Sequence, residues 1–299
     1  MPVLTSYTLI VNVRSNSSRS EQLIRESEEL IHRTLANCEI IYVFKPEEIV
    51  SISFESAKKS SVVVACGGDG TAQSVARGVH GSKALMGLIP VGSGNDFAKS
   101  IGLKTKQNIE YYLNVILKRE ILHVDIPVVN DQIFVNTAGI GFDSLTNYYA
   151  SQFRSLKGMI KYTVAGLKAF LTARPFQING VIDSEKLSKK VWLVAVANGA
   201  IEGGKYVISP ESKNTDGILD LVIVPAYSRI KLGIAFIILS CGKTLPDSFS
   251  DVCSFRKASL NIQKKHFIHL DGEVGTSSSK YQIELKNRPL NVIGINPLL

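Results

Sequence analysis

Gly67-Gly68-Asp69-Gly70-Thr71 follows the apolar run Ser61-Val62-Val63-Val64-Ala65-Cys66, and the arrangement recurs where Ala84 to Ile89 runs into Pro90-Val91-Gly92-Ser93-Gly94-Asn95-Asp96-Phe97. Without Cβ atoms a backbone can approach a phosphate closely, and successive N–H groups at a helix start form an anion-binding concavity. Asp69 is placed to reach a metal ion or a ribose, and Thr71 to cap the helix while touching a phosphate oxygen. Read alone, the first turn is equally well a tight strand-to-helix connection in which both residues merely cap. The second turn shifts the balance, because Ser93 and Asn95 add hydrogen-bonding groups and Asp96 a second carboxylate at the same sheet edge. Two carboxylates beside a polyphosphate can hold Mg²⁺ directly or through its waters. Neither turn has the G-x-x-x-x-G-K-S/T spacing or the G-x-G-x-x-G spacing, which disfavours a Walker-type ATPase and a dehydrogenase.

Asp271-Gly272-Glu273 follows the strand-like run His266 to Leu270. Locally, D-G between strands is foremost a hairpin signal. Its functional alternative makes Glu273 the general base that takes a proton from a hydroxyl attacking a γ-phosphate. Asp216-Gly217 reads most simply as a turn into a strand. His266 and His269 lie three apart on a strand, so they point to opposite faces, make a poor metal pair and receive no catalytic role. Arg154, Lys157, Lys161 and Lys168 share one face of a candidate helix, with Met159, Ile160, Leu167 and Phe170 nearby. Such a stripe is ordinarily a solvated face; the alternative is contact with anionic lipid headgroups.

These side chains need a scaffold, and the chain supplies one. Its 299 residues are 45% hydrophobic and 20% charged, enough for a substantial core and more consistent with two domains than one. The four cysteines are scattered without a C-x-x-C pair, which suits reduced cytosolic thiols. Met1 to Val13 lacks a basic start and long apolar core, so it reads as a first strand, not a signal peptide, and the mature protein is expected to begin near Met1. Leu232 to Cys241 is too short to span a bilayer and is expected to be a buried helix. The net charge of +8 favours anionic surroundings: phosphates, nucleic acid or an acidic bilayer face.

Up to residue 125 strands and helices alternate. Tyr7 to Val13 reads as a strand, Ser18-Arg19-Ser20-Glu21 as a capping box opening a helix through Leu35, Glu39 to Phe44 as a strand, and Pro46 as a helix start. Val62 to Ala65 and Ala84 to Ile89 are apolar on both faces, as central parallel strands are. This pattern predicts a doubly wound α/β domain whose ligands bind beyond the carboxyl ends of its strands. Beyond Ile121 the pattern turns to β segments: Ile121 to Val129, Gln132 to Thr137, Phe176 to Ile182, Val191 to Asn198, Ile218 to Val224, Ala258 to Gln263, His266 to Leu270 and Tyr281 to Leu285. A helical insertion from about Ser144 to Thr172 interrupts them. A mostly antiparallel β-sandwich is predicted over 126–288, with 289–299 holding a strand that returns to either domain.

In order and spacing, the two glycine turns, Asp125, Asn136 to Phe142, Lys161-Tyr162, Asp216-Gly217 and Asp271-Gly272-Glu273 resemble the diacylglycerol kinase catalytic family. Within it the match is to soluble bacterial lipid kinases, related to sphingosine and ceramide kinases. The resemblance implies an α/β ATP-binding domain, a β-sandwich lipid domain, and phosphorylation of a lipid hydroxyl by a cytoplasmic protein that touches the membrane peripherally. It implies that Gly67, Gly68, Asp69, Gly70, Thr71, Ala72, Gln73, Ser93 and Asn95 cradle ATP, that Asp69 and Asp96 organise a catalytic Mg²⁺, and that Glu273 is the base. A structural Mg²⁺ is implied at the Asp216 side chain and the carbonyls of Lys213 and Ile218. The chain departs from the family pattern at Val13, Phe44, Gln73 and Ser74. Alternatives are a kinase of a soluble small molecule such as NAD, and a nucleotide- or lipid-binding protein without catalysis. No recognised nucleic-acid module is present.

Overall fold

A computed structural model describes residues 5–15, 18–153 and 158–296. The chain divides into two units, 1–125 with 287–299 and 126–286.

In the first unit, β1 (Tyr7–Asn12) leads to α1 (Arg19–Glu26) and α2 (Glu28–Thr34), then β2 (Cys38–Val43), α3 (Ile49–Lys59), β3 (Val62–Gly67), α4 (Asp69–Val79), β4 (Leu85–Pro90), α5 (Asp96–Ser100), α6 (Ile109–Lys118) and β5 (Ile121–Val124). The closing strand Leu290–Ile293 inserts into the same sheet, whose order is β2, β1, β3, β4, closing strand, β5. β1 to β4 are parallel, and β3 and β4 are buried along their whole length, as their unbroken apolar runs require. The expected single helix through Leu35 is two helices broken at Ser27. The capping box at Ser18 does not form: Ser18 has left-handed backbone and its side chain makes no cap hydrogen bond. Pro46 opens a short 3₁₀ turn that leads into α3.

The second unit contains β6 (Pro127–Val129), β7 (Gln132–Ile133), β8 (Thr137–Gly141), α7 (Phe142–Gln152), α8 (Gly158–Thr172), β9 (Phe176–Ile182), β10 (Glu185–Ala197), β11 (Ile201–Glu202), β12 (Tyr206–Val207), β13 (Leu219–Pro225), α9 (Arg229–Ser240), β14 (Asp251–Phe255), β15 (Lys257–Leu270) and β16 (Glu273–Leu285). Apart from the short pair β11 and β12, these strands form one antiparallel sheet. β10 pairs with β9 over its first half and with β8 over its second, and β15 does the same in turn. A register shift lies between Val191 and Leu193 of β10, and another between Asn261 and His266 of β15. Such irregularities bend a strand, so these four strands close around a core that includes Phe134, Val194, Leu260, Ile268 and Tyr281.

Four other expectations change. Ile121 to Val129 is divided between the two sheets at Asp125-Ile126, and the two segments expected between Ala258 and Leu270 are one bent strand. The insertion read from Ser144 is two helices, with Arg154 and Lys157 outside the described residues. α9 buries Leu232 and Ala235 but exposes Ile230, Ile234 and Ile237, so it is a surface helix, not a buried one. Among the described residues no helix is long and apolar enough to cross a membrane.

α4 packs on α3 at Gly78, where an added Cβ would lie 2.5 Å from the Val50 carbonyl oxygen and from Ser53 Cβ. Alanine gains about 1 kcal/mol of helix propensity over glycine. Forced overlap in a packed interior costs about 1–3 kcal/mol, more so here because backbone must move. Gly78→Ala is therefore expected to lower the unfolding free energy, and a urea titration showing equal or higher stability would refute this close approach.

Candidate functional site

β3 ends in Gly67 and α4 begins at Asp69, with Gly68 between them in extended backbone. Its N-cap residue, Gly68, offers no side chain to the first turn of α4, so that position leaves the leading N–H groups to another acceptor. β4 ends at Pro90 and leads through Gly92 and Asn95, the latter in left-handed conformation, into α5. The two turns meet at their backbones: a Cβ on Gly92 would lie 2.5 Å from the Gly68 Cα, and one on Gly68 would lie 3.2 Å from the Gly92 Cα. Glycine at both positions is what lets the turns touch.

The Asp69 carboxylate fastens them. Oδ2 accepts the Asn95 N–H at 2.7 Å and Oδ1 the Phe97 N–H at 3.2 Å, so Asp69 caps α5 and not its own helix. Burial, and then the charge of Asp96, push its pKa above the ordinary carboxylate value, while the backbone N–H groups pull it down. The sequence-predicted carboxylates Asp69 and Asp96 thus lie close enough to repel. Asp96 is itself buried and pairs with Lys99 at 3.2 Å.

Around this pair, Thr71 Oγ1 accepts from Asn12 Nδ2 at 2.9 Å, and Ser15 Oγ accepts the Gly68 N–H at 3.0 Å. Thr71 is the third residue of α4, inside the helix and not at its cap position. Ala72 and Gln73 are buried in α4, Ser93 is exposed, and the buried Asn95 Oδ1 has no hydrogen-bond partner. Asn12 ends β1 and Ser15 lies in the turn after it, and no sequence spacing ties either to the glycine turns.

In the second unit, Asp271 and Gly272 have φ of 52° and 83°, the conformation of a tight two-residue hairpin turn joining β15 to β16. The Asp271 carboxylate accepts the N–H groups of Val135, Asn136 and Thr137 at 2.9, 2.8 and 3.0 Å, which fixes the approach to β8. Glu273, the first residue of β16, is exposed. Asp216 is also exposed; its Oδ1 accepts the Ile218 N–H at 3.2 Å, and Lys213 is exposed nearby in the chain.

A cluster that sequence spacing could not reveal lies beside the hairpin. His269 is fully buried, with Nε2 2.9 Å from Asp143 Oδ2 and 3.3 Å from Glu202 Oε1. Gly139 gives this pair its room, because a Cβ there would overlap both Asp143 and His269. Burial alone would lower the imidazole pKa; Glu202 and Asp143 outweigh it and raise it to about 9. The Gly272 N–H donates to Nδ1 at 3.4 Å, a long bond that only weakly opposes a second proton on the ring. The three ligand atoms lie within 4.8 Å of one another, but a protonated imidazole between two carboxylates already accounts for the arrangement.

Because the folded pKa of His269 lies above its ordinary 6.5, the folded protein holds the proton more tightly. The stabilisation is complete below about pH 6.5 and drains away as pH rises through about 9. Urea titrations are expected to show wild-type stability falling across this window more steeply than that of His269→Gln. Parallel profiles would rule out the charged imidazole.

Comparison with known proteins covers both units. The family described as the diacylglycerol kinase catalytic domain matches residues 6–129, and the one described as the YegS C-terminal NAD kinase beta sandwich-like domain matches residues 136–293. A diacylglycerol kinase of Bacillus subtilis is 26% identical over 221 residues, 73% of each chain. The crystal structure of a diacylglycerol kinase from Bacillus anthracis shares the fold, with a TM-score of 0.76 and 22% identity over 100% of this chain and 99% of that one. An NAD kinase from Archaeoglobus fulgidus, solved with ATP, is a more distant structural relative, with a TM-score of 0.52 and 12% identity over 97% of this chain and 94% of that one. The α/β catalytic half and the β-rich half that follows it thus both find their counterparts in one lineage, and the chain belongs to the diacylglycerol kinase family of lipid kinases.

Proposed function

We propose that the protein transfers the γ-phosphoryl group of ATP, with Mg²⁺, to a hydroxyl of diacylglycerol or a similar lipid at a membrane surface. The observation that carries this is the junction of the two glycine turns: touching backbones at Gly68 and Gly92, an α4 N-terminus whose cap residue is glycine, and Asp69 beside Asp96. These groups fit a magnesium-bound polyphosphate. Backbone N–H groups at an open helix start attract phosphate oxygens. A divalent cation beside these two carboxylates offsets the repulsion that, after desolvation, raises the Asp69 pKa.

In this mechanism Gly67 to Gln73, with Ser93 and Asn95, hold the phosphates, and Asp69 and Asp96 hold the ion. When bound, Mg²⁺ neutralises charge on the transferring phosphoryl oxygens. Glu273 accepts the proton of the acceptor hydroxyl as that oxygen attacks the γ-phosphorus and the bond to the bridging oxygen breaks, releasing ADP. Asp216, with the carbonyls of Lys213 and Ile218, is the proposed holder of a second, structural Mg²⁺. The lipid acceptor is supported by the naming of the Bacillus subtilis relative.

Transfer of labelled phosphate from ATP should be measured with diacylglycerol, a long-chain base, NAD and no acceptor. Labelled lipid is the expected product. Label on NAD alone would make the protein a kinase of a soluble acceptor, and ligand binding without any transfer would make it a binding protein. Glu273→Gln is expected to lower turnover about 10²- to 10⁴-fold while leaving ATP affinity within about twofold; near-wild-type turnover would remove Glu273 from the mechanism.

A further inference from the structure

Helices α8 and α9 of the second unit lie against one apolar cluster, which takes in Ala169, Ala173 and Leu232 with Trp192, Val222 and Val224 beneath them. They run antiparallel and interlock. Phe236 of α9 fills the space at Gly166 of α8, Phe170 of α8 lies against Gly233 of α9, and the Arg229 guanidinium donates to the carbonyls of Phe170 and Ala173 at 2.7 and 2.8 Å. The pair is thus one fixed layer with a defined outer side.

That outer side is apolar. On α8, Ile160, Val164, Leu167 and Leu171 are spaced by four, three and four residues, so they form one stripe opposite the buried Ala165 and Ala169. Ile230, Ile234 and Ile237 form the same kind of stripe on α9, opposite Leu232 and Ala235. Exposure reaches 66% at Ile160, 67% at Leu171, 77% at Ile230 and 62% at Ile237. Seven aliphatic side chains standing in water on two adjacent helices exceed the scattered single residues of an ordinary surface.

The charges choose the occupant. Neither helix contains a carboxylate, and between them they carry Lys161, Lys168, Arg229 and Lys231. Lys161 and Lys168 sit about a quarter-turn from the α8 stripe, with the Lys168 ammonium 4.2 Å over the Tyr149 ring. We infer that the outer side of α8 and α9 is a bilayer-docking face, whose aliphatic stripes enter the acyl region of an anionic membrane while the flanking cations meet lipid phosphates. An apolar stripe edged by cations is what an interfacial helix needs. A second copy of the chain fits less well, because a two-fold contact on this face would set the same cations against each other without a compensating carboxylate from either helix.

The inference rests on the proposed lipid acceptor, since an enzyme with such a substrate must reach it at a surface. Its test separates the two. Leu167→Asp/Ile234→Asp changes only exposed positions and should fold as the wild type does, verified by its urea midpoint. Co-sedimentation with phosphatidylcholine–phosphatidylglycerol vesicles should show wild-type binding that weakens in high salt, and at least tenfold weaker binding by the double variant. Turnover on a short-chain diacylglycerol dispersed in detergent should be equal for both proteins. Equal vesicle binding by the two proteins, absence of wild-type binding, or a wild-type dimer in solution that the variant abolishes would each overturn the docking face. Wild-type vesicle binding without phosphorylation of the short-chain lipid would instead sink the lipid-acceptor reading and leave the docking face standing.

Discussion

The Asp69 carboxylate governs the first unit because it joins two loops that the sheet alone would leave as neighbours. By accepting the Asn95 and Phe97 N–H groups it caps α5 from a different segment of chain, and the glycine contact at Gly68 and Gly92 sets how closely the loops approach. A charge-assisted bond to a backbone N–H is roughly twice as strong as a neutral one. The same atoms that would hold a cation thus also hold the loops in register. Capping and phosphate binding, which local sequence leaves as alternatives, are compatible here: Asp69 caps one helix while its own helix start remains open.

The second unit uses the same device in another setting. Asp271 serves as a hairpin residue and as a triple acceptor for the backbone entering β8, so its carboxylate is structural while its neighbour Glu273 stands exposed. Nearby, His269 is buried only because Asp143 and Glu202 surround it with opposite charge. Removing one partner of such a group leaves an uncompensated charge, which costs more than the intact cluster contributes.

How much of this was legible depended on the range of the interaction. Val62 to Ala65 and Ala84 to Ile89 announced central parallel strands because burial on both faces removes every polar position, and Phe176–Ile182 was readable to its last residue. The Ser18 capping box does not form because Ser18 takes a left-handed backbone, a conformation that the S-x-x-E pattern does not encode. β14 escaped notice because its exposed, mixed residues take their order from pairing with β13. The partners of His269 come from α7 and β11, and no spacing rule joins them. At the glycine turns the residue types were readable, but the destination of the Asp69 hydrogen bonds was not.

The closing strand Leu290–Ile293 lies between β4 and β5 of the first sheet, yet the whole β-rich half separates it from both in the chain. During synthesis, the first sheet therefore emerges with a vacant lane that only a segment made after the β-rich half can fill. Until then β4 and β5 present unpaired edges, which invite mispairing with other nascent chains. Completion of the first unit's sheet is thereby deferred until the β-rich half has been made.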